Sequence, residues 1–170
     1  KVDKAWEWLN SVSNRFIIVD ANKGNTVDAL ESHVDWFTRN CKQKKKVFLL
    51  DNFHKLRSGG VNRGGKKTEA VSDTSEKVKD ITQLNDLHII ATVELRKLEG
   101  VDARPTLGDL KDSVQLEYDA DVIILVHNDQ QAKKQESNIN WVDANTGTIN
   151  PYIEISIEKN KLTGQCDKLA

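Results

Sequence analysis

The chain predicts an α/β fold: a mostly parallel sheet with helices on both faces, giving way to antiparallel strands near the carboxyl end. Three observations carry this expectation. VFLLD from Val47, HIIATVEL from His88 and VIILV from Val122 are continuous apolar runs of strand length, without the alternation of a strand that has one wet face. Between the first two lies a segment with helical spacing, and alternation of that kind builds sheets with helical cover. Finally, the turn cluster Asn145 to Gly147 in DANTGTIN separates two short β-favouring runs, which marks a hairpin.

Taken in order, Val2, Ala5, Trp6, Leu9 and Val12 recur at helical spacing and predict a first helix. Phe16 to Val19, ending in Asp20, predict a buried strand. Asn25 or Thr26 caps a second helix, with Asp28 placed at the positive end of its dipole and Val27, Leu30, Val34 and Phe37 as its inward stripe. The cluster from Lys42 to Lys46 suits a helix carboxyl end and a solvated turn, with a nucleic-acid patch as the competing reading. VFLLD follows as a second buried strand, then a Gly- and Lys-rich loop, and a weaker helix around 70–84. After the strand HIIATVEL, an irregular stretch begins at Arg104 and Pro105. VIILV predicts a fourth strand. Ile139 to Val142 belong to the hairpin, and YIEISIE is a fifth core strand; the polar DQQAKKQESN reads as an exposed connection.

Composition bounds the function. A chain of 170 residues with 38% hydrophobic content suits one domain, 1–170, with a substantial core. Its 25 Lys and Arg nearly cancel its 26 Asp and Glu, so any attraction to nucleic acid must be local. Cys41 and Cys166 lack metal-ligand spacing and form no disulfide framework, which favours a reducing compartment. No apolar run approaches a membrane span, and KVDKAWEWLN does not resemble a secretory signal, so an intracellular, cytoplasmic protein without membrane contact is expected. Methionine is absent throughout, which leads us to expect a fragment or a methionine-substituted chain.

The segment GGVNRGGKKT, Gly59 to Thr68, nearly spells a phosphate-binding loop. Gly60, Gly65 and Lys66 fit G-x-x-x-x-G-K-[ST], but Lys67 stands where the magnesium-binding hydroxyl belongs, and Thr68 comes one residue late. The loop also starts eight residues after a strand instead of leaving it directly, so it reads as a decoy. VFLLD is more informative. Four apolar residues carry Asp51 to the carboxyl end of a strand, where open α/β sheets bind ligands and where a carboxylate can hold magnesium against phosphates. An apolar strand ending in Asp before a turn is also common without any such role. His33, His54, His88 and His127 show no ligand spacing, and no serine sits in a nucleophile elbow. Trp6, Trp8, Trp36, Phe37 and Trp141 fit packing better than base stacking.

The order VFLLDNFHKL, HIIATVELRK, RPTLGDLKDSVQLEYDADVIILVHND and ISIEKNKLTG resembles the successive motifs of DnaB-type replicative helicases, including phage primase-helicases and the mitochondrial Twinkle protein. The most specific part is RPTLGDLKDSVQLEYDADVIILV, similar to the family stretch R-P-x-x-S-D-L-R-x-S-G followed by D-A-D and a core strand. The resemblance covers the carboxyl-terminal part of the RecA-like motor domain, whose Walker A phosphate loop would lie before Lys1, so little or no ATPase activity is expected of this chain alone.

That resemblance implies roles residue by residue. Asp51 falls on the Walker B aspartate, implying a catalytic and metal role with ATP and Mg2+ as the cofactors of an intact motor. Glu94 falls where the family senses the terminal phosphate with glutamine or histidine; an ionised carboxylate accepts only, so Glu94 would orient water, or is simply a surface glutamate at a strand end. Lys159 matches the first residue of the family's K-x-R inter-subunit finger, and Lys161 replaces the arginine, supplying charge without a planar fork. A solvated charge run beside Glu158 is the competing reading. Arg63, Lys66 and Lys67 lie on a loop that in the family faces a central channel and contacts single-stranded DNA; Lys111 lies on a second such loop, where Val114 replaces a glycine. The implied partners are single-stranded DNA, further copies in a ring, expected to be a hexamer, and a primase, in a phage or bacterial host. The alternative is a non-catalytic RecA-derived module for DNA binding or assembly. Another RecA relative, such as a recombinase or circadian ATPase, fits the D-L-K-D-S and D-A-D segment less well.

Overall fold

Helix α2, Val27–Asn40, shows how the sequence sets the core. Of the two candidate caps, Thr26 occupies the position: its backbone is extended, and its hydroxyl accepts from the Ala29 N–H at 3.2 Å, satisfying a donor that the first turn leaves free. The Asn25 side chain instead donates to the Lys55 carbonyl at 2.9 Å, tying the helix start to a later loop. Val27, Leu30 and Val34 then face inward, and Phe37 meets Phe48 edge to face with centroids 5.3 Å apart. The computed structural model describes residues 2–20, 24–42, 45–58, 67–98, 103–111, 114–128, 140–151, 153–166 and 168–169.

Strands β1, Val47–Leu50, and β2, His88–Ala91, pair in parallel, with Val47 opposite His88 and Leu50 opposite Ala91. The crossover between them carries α3, Lys67–Asn85, whose Val71, Val78 and Ile81 join the stripe of α2, Phe53, Leu87 and Leu116 in the larger core. A second core forms around Leu110, Ile123 and Leu125. It underlies strand β3, Val122–Asn128, which pairs antiparallel with β6, Ile153–Asn160, itself paired antiparallel with β7, Lys168–Leu169. The expected hairpin is present as β4, Asn140–Val142, against β5, Ile149–Pro151, with Gly147 supplying a φ of +66° in the connection.

A parallel pair, an antiparallel sheet and covering helices are the architecture expected from the sequence. Several elements differ in detail. The first helix forms as α1, Val2–Val12, but none of its residues is buried. Phe16 to Val19 are extended and exposed instead of forming a buried strand, because no neighbouring strand among the described residues offers them a hydrogen-bonding edge. β1 and β2 are half-buried: Val47, Leu49 and Ile90 point outward, as Ile124 and Val126 do on β3. Continuous apolar runs predict burial on both faces, but among the described residues only one face of these strands packs into a core, against α2 and α3 for β1 and β2 and against Leu107, Leu110 and the exit of β2 for β3. A helix that the periodicity does not announce, α4, Val114–Asp119, lies between the irregular stretch and β3. DQQAKKQESN lies outside the described residues. No helix among the described residues is long and apolar enough to cross a membrane.

Candidate nucleotide site and its link to the 107–111 segment

Asp51 follows β1 directly and is exposed at the carboxyl end of the strand. Beside it, Thr92 continues β2: its N–H donates to the Leu50 carbonyl at 3.0 Å, and its hydroxyl donates to Asp51 Oδ1 at 2.5 Å. Asp51 Oδ2 makes no hydrogen bond among the described residues. An exposed carboxylate with one oxygen so placed suits Mg2+, which keeps most of its waters and takes one carboxylate together with substrate phosphates. Among the described residues no three or more His, Cys, Asp or Glu side chains are grouped to hold a metal ion by themselves.

Two residues further along, Glu94 is the hub. Lys111 Nζ donates to Glu94 Oε2 at 2.7 Å, and Asn52 Nδ2 donates to Oε1 at 3.2 Å. The Lys111 hydrogen bond, followed by that from Asn52 and the charge of Lys111, lowers the Glu94 pKa from 4.5 to about 2. Glu94 is therefore a fixed anion and an acceptor at neutral pH. Asn52 follows Asp51 through a cis peptide, and its buried Oδ1 has no partner among the described residues. His54, on the 3-10 turn Phe53–Lys55, faces the Glu94 N–H with Nδ1 at 3.2 Å and the Lys111 carbonyl with Nε2 at 3.0 Å. The site thus joins the loop after β1, the exit of β2 and the end of the 107–111 segment. Sequence reasoning missed Asn52, His54 and Thr92, whose roles emerge only when three distant segments meet.

Lys159 and Lys161 lie elsewhere. β6 pairs Lys159 with Ile123 but Ile157 with Ile124, so Glu158 is the extra residue of a bulge. The bulge shifts the alternation and aims Lys159 to the side of the buried Ile123. There Lys159 Nζ donates to the Glu117 carbonyl and, at 3.2 Å, to that of Tyr118, while Lys161 Nζ donates to the Tyr118 carbonyl at 2.7 Å and lies over its ring. Two ammonium groups thus meet the negative end of α4. Burial, then the neighbouring Lys161, pushes the Lys159 pKa down, opposed by Glu117, Asp121 and Asp119. No hydrogen bond or ion pair joins either lysine to Asp51 or Glu94 among the described residues.

Of the cations expected to meet nucleic acid, Lys111 is in the cluster with Glu94, and Lys67 opens α3. Arg63 and Lys66 lie outside the described residues. Just before those residues, Ser58 donates to Asp73, which Lys77 also binds at 3.0 Å. The D-A-D segment ties elements together. Asp119 accepts from Ser75 at 2.7 Å and Gln115 at 3.0 Å, and both oxygens of Asp121 accept from Lys79 at 2.8 Å, binding α3 to α4 and β3.

The family model of the DnaB-like helicase C terminal domain matches residues 1–169. The chain belongs to that family. This DnaB-like chain is 26% identical over 141 residues to the replicative DNA helicase DnaC of Bacillus subtilis (strain 168), covering 79% of the chain and 30% of the relative. It is 27% identical over 120 residues to the replicative DNA helicase DnaB of Mycoplasma genitalium, covering 68% of the chain and 24% of the relative. The DnaB-like chain therefore spans less than a third of the length of these relatives. A solved DnaB-like replicative helicase, described with its interactions with primase, matches 85% of the chain at TM-score 0.67 and 24% identity, over 32% of its own length. A second solved structure, of an ATPase domain, matches equally well, at TM-score 0.67 and 24% identity over 85% of the chain and 46% of its own length. These likenesses bear out the RecA-like fold and the family resemblance read from the motifs.

Proposed function

We propose that this DnaB-like domain works in an ATP-driven replicative helicase that translocates on single-stranded DNA as a ring, with ATP bound between neighbouring copies. The observation that carries the reading is the linkage of an exposed strand-end carboxylate, Asp51, through Thr92 and the exit of β2, to the Glu94–Lys111 ion pair. Asp51 would hold Mg2+, which neutralises phosphate charge when bound. Thr92 holds the Asp51 carboxylate in place, Glu94 orients water as an acceptor, and Lys111 with Arg63, Lys66 and Lys67 meets DNA phosphates. Lys159 and Lys161, which bind the Glu117 and Tyr118 carbonyls at the end of α4 in this chain, would have to leave those carbonyls to meet the phosphates at the site of an adjacent copy. A hexamer, a primase partner and a cytoplasmic location belong to the same reading, as does one motor domain over 1–170.

In full-length protein, Asp51→Asn should lower DNA-stimulated ATP hydrolysis by about a hundredfold or more, on the scale of losing a transition-state charge contact. Turnover within a few-fold of wild type would remove Asp51 from the mechanism. The loop assignment has its own test. Replacing Arg63, Lys66 and Lys67 with alanine should flatten the log K against log salt plot for a labelled oligonucleotide by about 2, three phosphate contacts at about 0.7 each. An unchanged slope would take the loop out of DNA binding.

A second reading, a non-catalytic module for DNA binding or assembly, draws on Glu94, which stands where the family uses glutamine or histidine and is already neutralised by Lys111. Absence of nucleotide turnover with retained oligonucleotide binding would favour it.

A further inference from the structure

The residues 94–96 and 109–111 form a short antiparallel ladder. Leu95 and Leu110 bridge without bonding each other, while the Arg96 N–H donates to the Asp109 carbonyl at 2.7 Å and the Lys111 N–H to the Glu94 carbonyl at 3.2 Å. In a regular ladder a pair such as Glu94 and Lys111 exchanges two bonds, so the Glu94 N–H would donate to the Lys111 carbonyl. Here an imidazole stands in that bond. The Glu94 N–H donates to His54 Nδ1 at 3.2 Å, and His54 Nε2 donates to the Lys111 carbonyl at 3.0 Å. For both bonds Nδ1 accepts and Nε2 donates, the pattern of the Nε2–H tautomer. The side chains of the same two residues close the arrangement through the Glu94–Lys111 ion pair.

We propose that His54 is a positioning residue that couples the nucleotide side of the site to the nucleic-acid segment, because its ring connects the Glu94 N–H to the Lys111 carbonyl. This rests on the motor reading above. Ring and ladder make a triangle of the loop after Asp51, the exit of β2 and the 107–111 segment, so displacement of any one strains bonds to both others. The Glu94–Lys111 ion pair alone would not do this, since two flexible side chains can follow each other while the main chains separate. A histidine fits where lysine or serine would not: it is rigid, and it spans the gap between donor and acceptor with opposite hydrogen-bonding ends.

The test is ATP turnover by full-length protein with and without saturating oligo-dT, read as the ratio of the two rates. A residue that only supports the fold lowers both rates together and leaves their ratio alone. His54→Leu, which makes neither bond, should reduce the ratio by about fivefold or more, the scale of an ordinary coupling energy. His54→Gln, whose amide can both accept and donate, should keep most of the wild-type ratio. Should the leucine variant fail to fold, His54→Glu replaces it: it can accept from Glu94 but cannot donate to Lys111, and the ratio should fall relative to glutamine. A wild-type ratio of one overturns the motor reading and this coupling with it. A stimulated wild type whose ratio survives His54→Leu, or is equal in the Gln and Glu variants, overturns the coupling and leaves the motor reading standing.

Discussion

At the scale of single residues, the site is governed by what Glu94 can and cannot be. Lys111 and Asn52 both donate to its carboxylate, and the first is charged, so the anion is favoured and its pKa falls to about 2. A depressed carboxyl pKa stabilises the native state fully above the unfolded value of 4.5, and that contribution is lost as pH falls from there through about 2. Carbon-detected NMR titration should therefore find the Glu94 carboxyl still ionised at about pH 3.5, between those two values, with Lys111→Ala moving its midpoint up toward the ordinary range. A wild-type midpoint in that ordinary range would break the ion pair as described. The position of Asp51 at the end of a strand was legible in the sequence because an apolar run closing on an acid is a local signal. The partnership of Glu94 with Lys111 and His54 was not, since each residue looks ordinary in its own segment and no periodicity records which segments meet. The lysines of KNK were legible as a charged strand end, but the bulge at Glu158 that turns Lys159 toward α4 leaves no local signature.

At the scale of elements, α2 carries the part of the fold most clearly written in the sequence. Its cap, its acidic first turn and its apolar stripe agree with one another, and agreement across these levels makes a segment readable. Thr26→Ala removes the acceptor for the Ala29 N–H and should cost about 1 kcal/mol in urea unfolding. Val34→Ala, at a position 0% exposed, loses two buried carbons and leaves a cavity, for about 2 kcal/mol. Equal costs at the two positions, or none at Val34, would contradict the packing of α2 against α3. α4 was illegible for the opposite reason. Six residues are too few for a period to declare itself: Leu116 is its one buried residue, and the Ser75 hydroxyl on Asp119 ties the helix to α3. Phe16 to Val19 mark the complementary case: the local signal for a strand is strong, but a strand exists only where another backbone completes its ladder.

At the scale of the whole molecule, the outward faces of the strands decide how the chain behaves in solution. Leu49 is 72% exposed and Ile90 60%, and Ile124 and Val126 on β3 are also exposed. Apolar side chains grouped on strand faces favour association over solvation. Exposure also means that each contributes little to folding, so polar replacement separates solubility from stability. Leu49→Thr combined with Ile124→Thr keeps one β-branched side chain and introduces another, preserving strand preference. The double variant should unfold within about 1 kcal/mol of wild type, as surface substitutions do. It should also bind less of the dye ANS and sediment with less associated material at equal concentration. A loss of stability comparable to Val34→Ala would show that these side chains are buried in solution, and the outward face would then be part of the core.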